Sequence, residues 1–319
     1  MSSADFHLEV DETMMMCCAS CGIAGVDDIK LKTCTACKLV RYCSVKCQRD
    51  HWLKHKKACK KRAAELRDET LFKQPESNHW GDCPICFLPH PLFPEKPIVM
   101  ACCSKLICGG CDYANDLRIL EQSLKQTCPF CRHSAPKTGE EVKRNLLKRI
   151  EANDPVAICG VAKQRYHEEG DYDGAIEYYT TAAGLGDVEA HYELSLLYRE
   201  GKVVEKDKKK EMYHLEQAAI GGHPSARHNL ACVENENGRY ERATKHFILA
   251  AKLGHVGSIK ALETGLKKGL ISKEDYAAAL RAQQAAVDAT KSPQREEAKA
   301  AVARYRLMMD RHKFLEGRR

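Results

Sequence analysis

The chain has 319 residues, 30% of them charged and only 7% aromatic, with a net charge of +7. No stretch approaches the roughly 18 consecutive apolar residues of a membrane helix, and Met1–Met16 carries Asp5, Glu9, Asp11 and Glu12 with no lysine or arginine, so neither a membrane span nor a secretory leader is expected. Eighteen cysteines, mostly in C-x-x-C pairs, then read as reduced thiolates held for metal in a soluble cytoplasmic or nuclear protein, not as disulfides.

Residues 1–16 read as a flexible tail ending in Met14-Met15-Met16. Residues 17–60 carry Cys18, Cys21, Cys34, Cys37, Cys43, Cys47, His55 and Cys59, spaced C-x2-C, C-x2-C, C-x3-C and H-x3-C. Partners four apart share one helical face, as zinc ligands on a helix must. Cys17 is an alternative ligand beside Cys18, and His51 is read as a packing or solvated histidine because eight ligands close without it. About 40 residues bury too little apolar surface to fold alone, so the metal supplies the deficit, on the order of 10 to 16 kcal/mol per structural zinc. The spacing resembles the MYND finger at all eight positions. That resemblance implies interleaving, with Cys18, Cys21, Cys43 and Cys47 on one zinc and Cys34, Cys37, His55 and Cys59 on the other. It also implies a groove for proline-containing peptides at Gln48 and Trp52; the competing reading makes Trp52 a core residue of a very small domain.

Residues 61–80 predict an extension of the last finger helix, broken by the polar linker Gln74-Pro75-Glu76-Ser77-Asn78. The basic run Lys54–Arg62 is read as the solvated face of that helix; without interleaved aromatics it carries no single-strand nucleic-acid signature.

Residues 81–135 hold three further pairs, Cys83/Cys86, Cys108/Cys111 and Cys128/Cys131, with the adjacent Cys102 and Cys103 completing eight ligands. Sixteen ligands at four per tetrahedral ion give about four zincs in the chain. This stretch resembles a RING finger, which implies Cys83, Cys86, Cys108 and Cys111 at one zinc and Cys102, Cys103, Cys128 and Cys131 at the other. Lys105 stands where the family has a histidine, and an ammonium has no lone pair for a metal, so Cys102 is read as the substitute. Two adjacent residues reach one ion only if the backbone turns between them. In RING ubiquitin ligases the positions matching Ile85 and Pro129 dock a ubiquitin-conjugating enzyme, and the position matching Arg132 orients the thioester. The competing reading makes Ile85 and Pro129 shapers of the zinc turns and Arg132 a solvated charge.

A connecting helix is expected over 136–153, with Val142, Leu146, Leu147 and Ile150 on one face. From the N-cap signal Asp154-Pro155 the chain repeats itself over 154–291. The turns ending in Gly186, Gly222 and Gly254 are followed four residues on by Ala190, Ala226 and Ser258 and four later by Leu194, Leu230 and Leu262, while Tyr179, Leu215 and Phe247 precede each turn. Small residues permit close helix approach and large ones fill the seam, so each unit is read as a helix pair. Cys159 and Cys232 are read as small buried hydrophobes. The pattern resembles Sel-like repeats, which implies a solenoid surface for protein partners. Ser272-Lys273-Glu274-Asp275 reads as a capping box, and Ser292-Pro293 opens a last helix, 292–319, expected to cap the solenoid with a polar face. The fold class is therefore mainly α, two small zinc-stabilised fingers followed by an α-helical solenoid. The combination resembles algal proteins carrying MYND or RING-like fingers before Sel-like repeats. That group implies no established substrate; the RING resemblance implies a ubiquitin ligase whose MYND finger and repeats select targets, the alternative being a non-enzymatic scaffold or a transcriptional co-regulator that binds proline-containing peptides through the MYND finger.

Overall fold

The computed structural model describes residues 17–25, 30–92 and 96–316, with side chains placed to residue 305. The expected tail over residues 1–16 lies outside them. The chain forms two compact units, Met1–Lys73 and Gln74–Arg319.

In the first unit, β1 (Lys32–Thr33) pairs antiparallel with β2 (Arg41–Tyr42), and α1 runs without a break over Val45–Leu71. The Ser44 side chain caps α1 by accepting from the Cys47 N–H. The helical extension expected beyond residue 60 is thus continuous with the helix that carries His55 and Cys59. Apart from Leu71, the buried apolar residues among the described residues of this unit are Cys18, Cys34, Cys37, Tyr42 and Cys59. Four of these five are cysteines, so the centre of the finger is made of thiols, as a metal-organised fold of this size requires.

The second unit begins with a small finger: β3 (Ile98–Val99) pairs antiparallel with β4 (Leu106–Ile107) and leads into α2 (Gly109–Glu121). Then α3 (Gly139–Glu151), capped by Thr138, joins the finger to the repeats. The repeats comprise α4 (Pro155–Gln164), a single π-helical turn (Arg165–Glu169), α5 (Tyr172–Gly184), α6 (Val188–Glu200), α7 (Lys208–Ile220), α8 (Pro224–Glu236), α9 (Tyr240–Lys252), α10 (Val256–Lys267) and α11 (Lys273–Asp288). Consecutive helices pack on one another, most extensively α4 on α5, α6 on α7 and α8 on α9.

The repeat register follows from three positions. Gly186, Gly222 and Gly254 take the left-handed φ values of 91°, 84° and 94° that end a helix. Ala190, Ala226 and Ser258 are fully buried where helices meet, and Leu194, Leu230 and Leu262 are each 1% exposed in the seam. Tyr179 and Leu215 are buried with them, while Phe247 is half-buried.

Two segments depart from expectation. Gln74–Asn78, read as a linker, is anchored on the repeats at its end: the N–H of the next residue, His79, donates to the Gly222 carbonyl at 3.1 Å. A Cβ on Gly222 would lie 2.8 Å from the Ser77 carbonyl oxygen, so the glycine serves the helix end and this docking together. The last helix, α12 (Pro293–Glu316), is started by Ser292 as expected, but its main packing partner is α2 of the finger, where a terminal cap on the solenoid was expected. The physical reason is Arg295, described below.

Candidate metal centres

Four of the C-x-x-C pairs share one local design. Gly22, Lys38, Phe87 and Arg132, each directly after the second cysteine of a pair, have φ of 76°, 56°, 56° and 63°. Their N–H groups close back on the carbonyls of Cys18, Cys34, Cys83 and Cys128 at 2.8, 2.9, 2.8 and 3.1 Å. Such a turn points both thiols to one side. Three of the four place a non-glycine residue in the left-handed region, which costs of order 1 kcal/mol or more each, and metal ligation is what repays it.

The turns converge into four groups of donors: Cys18, Cys21, Cys43 and Cys47; Cys34, Cys37, His55 and Cys59; Cys83, Cys86, Cys108 and Cys111; and Cys102, Cys103, Cys128 and Cys131. Within each group every ligand atom lies within 4.8 Å of the others. Tetrahedral zinc with thiolates at 2.3 Å requires sulfurs about 3.8 Å apart. The observed separations are 3.6 Å for Cys21 and Cys43, 3.8 Å for Cys34 and Cys59, 3.7 Å for Cys86 and Cys108, and 3.4 Å for Cys102 and Cys131. Disulfide sulfurs would be about 2.0 Å apart. The chemistry and spacing of all four groups fit zinc, about four ions per chain.

His55 presents Nε2 to Cys37 Sγ at 3.2 Å, and burial, with the neighbouring His51, lowers its pKa, favouring the neutral form that a metal needs. His51 stacks on His55 with ring centroids 5.8 Å apart and hydrogen-bonds the Tyr42 hydroxyl through Nδ1, so it is a packing residue outside the four groups. Cys17 is also outside them, its backbone bridged to Ala24. The adjacent Cys102 and Cys103 reach one group because the chain reverses around them: the N–H groups of Cys103 and Ser104 both return to the Met100 carbonyl, and Ser104 has φ of 54°. Lys105 instead holds its ammonium 5.9 Å from the centre of the Phe130 ring.

Of the remaining expected residues, Gln48 and Trp52 lie one turn apart on α1, and Trp52 is 41% exposed. Ile85 is half-buried against the cluster of Cys83, Ile107, Cys108 and Cys111. Pro129 lines a cleft of about 330 Å³ with Asp112 and Ile119, and Arg132 is exposed. Cys159 is buried, which pushes its thiol pKa up; Cys232 is half-buried, with His228 Nε2 3.7 Å from its sulfur.

A fifth group of donors was not foreseen: His79, Glu189 and His223. Its geometry speaks for hydrogen bonding over metal. His223 Nδ1 accepts the Ala226 N–H at 3.1 Å, which leaves the proton on Nε2, 3.2 Å from Glu189 Oε2. His79 Nε2 meets the same oxygen at 2.9 Å, and Lys163 takes Oε1. With both imidazole Nε2 atoms on one carboxylate oxygen and the Lys163 ammonium on the other, the carboxylate is neutralised by the protein's own groups without a cation. Burial opposes ionisation of Glu189, yet the bonds from His223 and His79 and the Lys163 charge hold its carboxyl well below the usual carboxylate range. The sequence signal was present in the residue after each turn glycine, since Asp187, His223 and His255 all cap the following helix.

Fold and sites together define a protein with four donor groups fit for zinc, a pair of cysteine-rich fingers followed by tandem helix-pair repeats. Residues 18–59 match the MYND finger family. Among solved structures the chain is similar to a Sel1 repeat protein from Oxalobacter formigenes, with 25% identity and a TM-score of 0.36 over 38% of this chain and 97% of that one. It is also similar to c5321, a protective antigen of uropathogenic Escherichia coli displaying an SLR fold, with 17% identity and a TM-score of 0.40 over 54% of this chain. The match spans 36% of that antigen. Among the described residues, no helix is long and apolar enough to cross a membrane.

Proposed function

We propose that this protein is an adaptor whose first finger captures proline-containing peptide segments on the face of α1 that carries Gln48 and Trp52, while the repeats hold further protein partners. The observation that carries the reading is the exposure of Trp52, 41% on a finger whose core is built from thiols and Tyr42. A large indole left in solvent offers a flat apolar platform for a proline ring, and Gln48, one turn away, offers an amide to an extended backbone. The test is titration of the zinc-loaded chain with a library of proline-containing peptides. Trp52→Ala should abolish binding and leave zinc content unchanged; wild-type protein that binds none of them removes the reading.

A second reading, a RING-type ubiquitin ligase, is favoured by Arg132, which is exposed directly after the last cysteine of the second finger, with Pro129 on the same turn. In it Ile85 and Pro129 dock a conjugating enzyme and Arg132 orients the thioester, so the finger acts through positioning alone. Arg132→Ala should then slow ubiquitin discharge while the conjugating enzyme still binds. Discharge no faster than buffer across a broad panel of conjugating enzymes leaves the adaptor without ligase activity.

A further inference from the structure

Arg295, in the first turn of α12, is 4% exposed. Its guanidinium donates to the carbonyls of Pro89 at 2.6 Å, Thr290 at 2.8 Å and Leu88 at 3.0 Å, and to Cys86 Sγ at 3.3 Å. Among the described residues no carboxylate is within ion-pair reach of it. A buried cation without an anion is strongly unfavourable, and the anion available here is the thiolate cluster of Cys83, Cys86, Cys108 and Cys111. Zinc bound by four thiolates leaves that cluster doubly negative.

A second observation converges on the same contact. Of the two glycines between Cys108 and Cys111, Gly109 has open space around it. A Cβ on Gly110 would lie 2.8 Å from Arg295 Cγ and 3.0 Å from both the Cα and the N of Arg295. The backbone of α12 can approach the zinc turn this closely only because residue 110 lacks a side chain.

We infer that Arg295 is the counter-ion of the zinc held by Cys83, Cys86, Cys108 and Cys111, so that seating of α12 and retention of that zinc are one coupled event. The inference rests on the zinc reading of the second finger. The guanidinium neutralises part of the thiolate charge and orients Cys86 through an N–H···S bond, as outer-shell partners of metal sites do. Coupling is reciprocal, so zinc also holds α12 in place. Arg295 is therefore a positioning residue for a metal whose ligands lie some two hundred residues earlier in the chain.

The test uses the full, zinc-loaded chain, challenged with a chelator and then alkylated, with each cysteine followed by mass spectrometry. In Arg295→Gln the thiols of Cys83, Cys86, Cys108 and Cys111 should become alkylated about 10 to 100 times sooner than in wild type. Those of Cys102, Cys103, Cys128 and Cys131, and of the first finger, should keep their wild-type rates. Gly110→Ala, which leaves Arg295 in the chain but pushes it away, should reproduce the effect, and Arg295→Lys should fall between. In wild type, zinc removal should raise amide exchange over residues 293–305. Unchanged alkylation in Arg295→Gln, or equal acceleration at both zinc groups of the second finger, overturns the inference. Failure of the zinc reading has its own signature, the four thiols of wild type reacting at once with no chelator present, and it overturns the inference with it.

Discussion

Acid should unfold the repeats through histidines that are buried in the neutral state. Burial lowers the pKa of His223 to about 4, and burial assisted by the neighbouring His228 and His223 lowers His255 to about 4. His214 is pushed to about 4 by burial with help from His191 and Lys210. A histidine whose folded pKa lies below its unfolded value stabilises the fold fully above the unfolded pKa, near 6.5, and that stability is lost as pH falls toward the folded value. Between pH 7 and pH 5 the linkage amounts to about 2 kcal/mol for each of His223 and His255. The half-buried His214 is discounted to about half that for solvent screening, giving about 5 kcal/mol in all. Around these groups, Glu189 adds to acid sensitivity at lower pH because its pKa is held down, whereas Asp187 and Glu193, raised by burial, oppose it. Lys163 stays charged throughout, its pKa raised by Glu189 against the cost of burial. The assay is amide exchange over α6 to α9 in the full chain, corrected for intrinsic exchange, because acid also strips zinc from the fingers and would confound a global probe. His255→Asn keeps the helix cap but removes one titration, so its stability should fall about 2 kcal/mol less over the same range. Equal pH slopes for wild type and His255→Asn would refute the reasoning.

Metal analysis should return about four zincs per chain, and Cys102→Ser should lower that by one; unchanged zinc content would exclude Cys102 as a ligand. Leu230→Ala removes most of a side chain that is 1% exposed in α8 and should cost about 2 to 5 kcal/mol in urea unfolding of the repeats, a loss under half a kcal/mol showing that the helix seam lies elsewhere. Gly222→Ala forces both a left-handed alanine and a clash with the Ser77 carbonyl, so cleavage of the 74–80 segment by a protease should accelerate at least tenfold, and an unchanged rate would mean that this segment is not held by the repeats.

The parts of the fold that were legible in the sequence are those whose cause is local. A C-x-x-C turn needs its two cysteines and a following residue able to take a left-handed φ, and everything that makes it lies within five residues, so the pairing of donors shows in the spacing. The repeat seam was legible for a similar reason: Ala190, Ala226 and Ser258 have to be small wherever two helices touch, and the requirement recurs at each unit. Even the Cys102-Cys103 pair announced its condition, a reversal of the backbone, which the Met100–Ser104 turn meets.

What could not be read is the set of contacts that join the second finger to the repeats, because each depends on a single polar side chain with no periodicity to betray it. His79 meets Glu189 across 110 residues and Arg295 meets Cys86 across 209. In a sequence a lone arginine near the start of a charged helix is indistinguishable from a solvated one, and α12 was accordingly expected to be a polar cap. Burial reverses that reading, since a guanidinium 4% exposed has to find an anion, and a zinc–thiolate cluster acquires its charge only when the metal binds. The docking of the C-terminal helix is thus encoded less in the chain than in the chain with its zinc, which is why a reading of residues alone stops at the four donor groups and not at what they hold in place.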